Sequence, residues 1–164
     1  MHRIAATIIA ASMLVAQSAG AGADSWNKIR YVAGTIEAKV NPYDYNTTLT
    51  VSRDEIVLAF SPRPTLRLEP SQVVSISYGI QAQQRVKTVM ESSPAKQGKK
   101  SALVPPDPPG LFGFLRPKDE LVGIVFKNQD GSAGAVLLQT LPGYHLAILG
   151  ALSMVTGKPI EMAK

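Results

Sequence analysis

Thr48-Leu49-Thr50-Val51-Ser52-Arg53-Asp54-Glu55-Ile56-Val57-Leu58-Ala59-Phe60 repeats with a period of two. Leu49 and Val51 alternate with Thr48, Thr50 and Ser52, the chain turns at Ser52-Arg53-Asp54, and Ile56, Leu58 and Phe60 alternate again. Successive side chains of an extended chain point to opposite faces, so this pattern marks two half-buried strands, and the short polar link makes them a hairpin. Upstream, Asn41-Pro42-Tyr43-Asp44-Tyr45-Asn46 is a turn cluster. Before it, the even positions Val32, Ile36, Ala38 and Val40 are small or apolar while Arg30, Glu37 and Lys39 break the pattern with charge, predicting a strand over 29–40 with Gly34 as a bulge or close-packing point.

Downstream, Ser61-Pro62-Arg63-Pro64 breaks the hairpin, Leu66 and Leu68 begin another strand, and Glu69-Pro70-Ser71-Gln72 forms a corner before Val74, Ile76 and Tyr78. Gly79 closes that run, and Val86 and Met90 opposite Arg85 and Lys87 predict a further strand over 84–90. Leu121 to Phe126 is a strongly apolar strand, Asn128-Gln129-Asp130-Gly131 a hairpin turn, and Ala135 to Leu138 its return. The period then changes. Tyr144, Ile148, Ala151, Leu152 and Val155 fall on one helical stripe, with Pro142 near its start and Gly157 and Pro159 as stop signals. The expectation is a mainly β protein of the α+β class, with about seven antiparallel strands in a sandwich or open barrel. One C-terminal amphipathic helix covers an open end or face of the sheet.

These strands, the corner over 66–78 and the capping helix resemble the pleckstrin-homology-like fold of bacterial PH and GRAM-type domains. The chain is most similar to a group of exported bacterial proteins of unassigned function. They share segments like Ile29-Arg30-Tyr31-Val32-Ala33-Gly34-Thr35, Asn46-Thr47-Thr48-Leu49-Thr50-Val51 and Gly134-Ala135-Val136-Leu137-Leu138-Gln139. The likeness covers most of Trp26 to Pro159 and implies a fold, with no catalytic signature. PH domains that bind phosphoinositides carry Lys and Arg in the loop between the first two strands. Here that loop, 41–46, has an acid and no base, which removes the phosphate-binding chemistry.

The 164 residues begin with Met1-His2-Arg3 and an apolar run from Ile4 to Ala16, ending in small residues from Ser18 to Ala23. This is the pattern of a secretory signal peptide over 1–23, cut after Ala23, shorter than the roughly 20 apolar residues of a membrane span. The remainder, 24–164, suits a single exported domain, periplasmic or secreted. No cysteine is present, so packing rather than disulfides holds the core. Lys and Arg exceed Asp and Glu by 17 to 12, but the excess is scattered, which argues against nucleic-acid binding.

Between about 92 and 118 the chain holds six of its twelve prolines, with Gly98, Gly110 and Gly113, and reads as a loop. Lys96, Lys99 and Lys100 are its closest cluster of cations, with Arg116 and Lys118 near its end; Leu111, Phe112, Phe114 and Leu115 are its apolar group. Two readings stand: the apolar group tucks against the sheet, which is preferred, or it is exposed as a contact for a partner or a membrane surface. Tyr43 and Tyr45 form a candidate recognition rim or pack on the turn.

The chemical inventory is thin. His145 is the only histidine after the signal and reads as exposed or capping, and no metal-ligand spacing surrounds it. Asp54-Glu55 and Asp119-Glu120 read as solvated turn charges, Gly131-Ser132-Ala133-Gly134 as a turn rather than a nucleophile elbow, and Asn46-Thr47-Thr48 as turn and strand start rather than a used glycosylation acceptor. No catalytic residue, cofactor or metal is expected. The sequence supports an exported, non-enzymatic binding or scaffold module for a protein or envelope component. A carrier of a small apolar or amphiphilic ligand is the alternative, and a carboxylate-based hydrolase ranks last.

Overall fold

The computed structural model describes residues 22–36, 43–60, 65–93 and 120–163. Among them, eight strands and two helices run in the order β1 (Asp24–Gly34), β2 (Thr47–Val51), β3 (Ile56–Phe60), β4 (Thr65–Leu68), β5 (Val73–Tyr78), α1 (Ile80–Ser92), β6 (Leu121–Lys127), β7 (Ala133–Gln139), α2 (Tyr144–Thr156) and β8 (Ile160–Glu161). A single 3-10 turn, Pro70–Gln72, forms the corner before β5. The sheet order is β4-β3-β2-β1-β7-β6-β5-β8, open at β4 and β8 and antiparallel except between β5 and β8. The class is α+β.

Strand β1 serves two half-sheets. Its first part, Asp24 to Ile29, pairs with β2, and its second, Arg30 to Gly34, pairs with β7. Between Trp26 and Ile29 the register slips, and Lys28 takes a left-handed φ of 58°. A non-glycine residue there costs roughly 1 kcal/mol, which is offset by the pairing it permits on both sides. The expected role of Gly34 as a close-packing point holds: a Cβ at that position meets the Ala135 carbonyl and the Tyr31 hydroxyl. The bulge lies earlier, between Tyr31 and Ala33.

The main core fills the space between the half-sheets and α2. Leu49, Val51, Ile56, Leu58 and Phe60 enter it from β2 and β3; Val122, Ile124, Phe126, Val136 and Leu138 from β6 and β7; Ile148, Leu149 and Leu152 from α2. The ring of Phe126 lies over Gly134, its cross-strand partner, where any side chain would collide with it. The expected terminal helix is present and ends at Gly157, whose φ of 68° and N–H bond to the Ser153 carbonyl close the last turn. Its buried stripe differs by one residue from the expectation. Leu149 is buried, while Tyr144 is 37% exposed.

The strand expected over 84–90 is instead the second half of α1. Val86 and Met90 are four residues apart, a spacing that satisfies both the two-residue and the 3.6-residue period. Ala82 and Val89, three or four residues from them, supply the helical stripe. With Val32, Ala33, Leu121, Val125, Ala135 and Leu137 they form a second core on the far face of β6 and β7. A Cβ at Gly123 would stand 3.0 Å from the Ala82 Cβ, so this glycine sets how closely α1 approaches the sheet. The expected run of about seven strands is present, and β8, two residues long and without a pattern of its own, makes the number among the described residues eight.

Candidate functional site

The apolar and basic groups expected to make contacts, Leu111, Phe112, Phe114, Leu115, Lys96, Lys99 and Lys100, lie outside the described residues, as does most of the segment 1–23 expected to be a signal peptide. Tyr43 and Tyr45 are described. Tyr43 is 68% exposed, and Tyr45 is 38% exposed with the Arg30 guanidinium carbon 5.7 Å from its ring centroid. The buried side-chain oxygens of the neighbouring Asn46 and Thr47, and of Gln139, which pairs with Arg30 across β1 and β7, have no hydrogen-bond partner among the described residues.

His145 is neither exposed nor a cap. Its side chain is 16% exposed, and Nδ1 lies 2.7 Å from Oε2 of Glu120, outside hydrogen-bond geometry but at ion-pair distance if the imidazole is charged. The same Oε2 accepts a 3.1 Å hydrogen bond from the Gly143 N–H, so Glu120 is the group that caps α2. A carboxylate there complements the positive end of the helix. The Tyr78 ring stacks on the imidazole at 5.1 Å and 16°, and burial, aided by the Glu120 charge, raises its phenol above the ordinary range. Glu120, expected as a solvated turn charge, is therefore a joint between β6 and α2.

Three other acids also have partners. Glu55 takes Arg67 of the neighbouring β4 at 2.8 and 2.9 Å, and Glu161 takes Arg85 at 2.7 Å, tying β8 to α1. Glu55 and Glu120 thus serve different partners on different elements. Asp130 accepts from the Ser132 amide and hydroxyl in the β6–β7 turn, which holds its carboxyl below the usual range. Among the described residues no three His, Cys, Asp or Glu side chains gather as for a metal ion.

What sequence reasoning missed is the outer face of α2. The helix reads Tyr144-His145-Leu146-Ala147-Ile148-Leu149-Gly150-Ala151-Leu152-Ser153-Met154-Val155-Thr156 and holds no Lys, Arg, Asp or Glu. Its inner stripe closes the core. Outside, Leu146 is 69% and Met154 84% exposed, with Ala147 and Gly150 also exposed between them. An ideal Cβ built on Gly150 meets no atom within 4 Å. A surface helix ordinarily carries charge on the face away from the core, so an outward row of Leu, Ala, Gly and Met departs from the rule. The signal was present in the sequence as the absence of charge over thirteen residues.

No protein-family model matches the chain, and no curated protein matches it. Among solved structures it is similar to a chain in the "Structure of the Spt16D Pob3N heterodimer", at 10% identity and a TM-score of 0.47. That alignment covers 87% of this chain and 55% of the other, so this chain spans about half the length of its neighbour. A likeness at that level leaves the function to be argued from the residues themselves.

Proposed function

We propose that this chain is an exported, non-enzymatic, PH-like binding module that recognises a protein partner through the outer face of α2. The observation that carries the reading is the uncharged helix face, with two large side chains in the open on an element whose other side completes the core. Leaving such a face in water forfeits on the order of 1.5–3 kcal/mol for each large apolar side chain that a partner could cover. The bent β1 shared by two half-sheets and the helix that closes them accord with the PH-like arrangement. The charged side chains with assigned partners act as joints of the fold, which favours binding over catalysis. The large apolar side chains that meet between the half-sheets favour a docking surface over a carrier. Export accords with the apolar segment before β1, because β1 begins at Asp24 and a cut after Ala23 leaves every described element whole.

The test is crosslinking in the envelope fraction of an expressing cell, comparing the intact chain with Leu146→Lys/Met154→Lys. A partner captured by the first and lost from the second, with the circular dichroism of the two unchanged, supports the reading. Equal capture by both sinks it.

A further inference from the structure

The outer face of α2 is symmetric in the size of its side chains. Counted from Gly150, the residues four positions away on either side are Leu146 and Met154, both large, apolar and exposed, and those three positions away are Ala147 and Ser153, both small. The row is palindromic in size about one glycine. We propose that this face is an isologous contact with a second copy of the same chain, the two helices crossing antiparallel at Gly150. The inference rests on the binding-module reading and names its partner.

A two-fold axis through Gly150 places Leu146 of one copy against Met154 of the other, twice, with Ala147 facing Ser153. Rows of side chains four apart interdigitate in the commonest helix crossing, and the residue at the crossing point sets how near the axes come. With axes about 8–10 Å apart and Cα atoms about 2.3 Å from each axis, two facing Cα atoms at position 150 stand roughly 4–5 Å apart. Only a small residue leaves room there, and a large one such as leucine does not.

Charge points the same way. A partner recognised by a charged patch needs an opposite charge on this face, and the row has none. A second copy presents an equally uncharged row, so neither side strands a charge. A single helix crossing falls short of the roughly 800 Å² per partner of a standard stable interface. The dimer is accordingly a weak one, formed only at high protein concentration.

The cysteine-free chain makes the test direct. Gly150→Cys places the new sulfur on the two-fold axis, where it meets its own mate within disulfide range. Thr88→Cys, on the exposed side of α1, is the control. The expected results are concentration-dependent dimerisation of the intact protein by sedimentation, disulfide dimer formation at least about tenfold faster in Gly150→Cys than in Thr88→Cys, and loss of both effects when Met154→Lys is added. Gly150→Leu, whose Cβ meets no atom within 4 Å of its own fold, should remain folded and become monomeric. Sedimentation as a monomer to several hundred micromolar, or equal crosslinking at positions 150 and 88, overturns the second copy as partner. If the envelope crosslink to another protein survives that outcome and still depends on Leu146 and Met154, the binding-module reading stands while the dimer falls. If the face instead becomes reactive only when 94–119 is deleted, the occupant is this chain's own segment, and the dimer also falls.

Discussion

The two half-sheets treat water differently. Along β2 and β3 buried and half-buried residues alternate without exception, whereas in β6 the six residues Leu121 to Phe126 are all buried, and in β7 the six from Gly134 to Gln139. The difference is what lies outside. The first half-sheet has α2 and the core on one face and, among the described residues, no element packed on its half-buried other face; the second has the core on one face and α1 on the other. A strand covered on both faces needs no polar alternation, and its sequence becomes a continuous apolar run.

The largest effect that sharpens this contrast is expected at the α1-covered face. Leu137→Ala, which empties a fully buried site beneath α1, should destabilise by about 2–5 kcal/mol in urea titration, as much as Leu58→Ala in the main core. A cost under about 0.5 kcal/mol would show that α1 does not cover the sheet in solution. Next, Gly123→Val forces the Ser77 hydroxyl and Ala82 aside and should cost about 1–3 kcal/mol, with amide exchange quickening in α1 before it does in β2 and β3. Glu120→Ala removes the acceptor of the Gly143 N–H at the head of α2 and should lower stability by about 1 kcal/mol, with Glu120→Gln recovering part of it.

A further effect is confined to alkaline solution. Burial raises the phenols of Tyr31 and Tyr78, Tyr31 more strongly, so the folded chain holds these protons after the unfolded chain has released them. The stabilisation is complete below the ordinary phenol value of 10.0 and is lost progressively as the pH climbs from there toward the folded values. Tyr31→Phe should flatten that decline in thermal melts from about pH 9 to about pH 11, and an unchanged slope would contradict the burial of Tyr31. Smallest of all, Val57→Thr on the outward face of β3 should change stability by no more than about 0.5 kcal/mol; a large loss there would mean that the first half-sheet is covered on both sides as well.

The alternation in β2 and β3 could be read directly because one face of each strand is wet. The run Leu121 to Phe126 carried a second message, that something must cover its other face, and α1 is that cover. It escaped notice because Val86 and Met90 fit either period and the decisive Ala82 is too small to register as hydrophobic pattern. Glu120 and His145 meet because the β6–β7 hairpin pairs Leu121 with Gln139 and so brings the entry to β6 beside the entry to α2; the hairpin was legible, but the side-chain pairing at its open end was not. The outer face of α2 was hidden for a different reason. A stripe search finds the residues that face the core, and only the structure shows that Leu146 and Met154 are left over.

The shared strand β1 also sets the order in which the chain can be completed. Its first part finds β2 a short way downstream, so that pairing and the β2–β3–β4 meander close short loops. Its second part waits for β7, with Thr35 bonding to Ala135 across 100 positions. Contacts that close long loops form late. A chain emerging from its N-terminus therefore holds a half-occupied β1 until β7 has followed, and during that interval the open edge from Arg30 to Gly34 is the part of the molecule most in need of a chaperone.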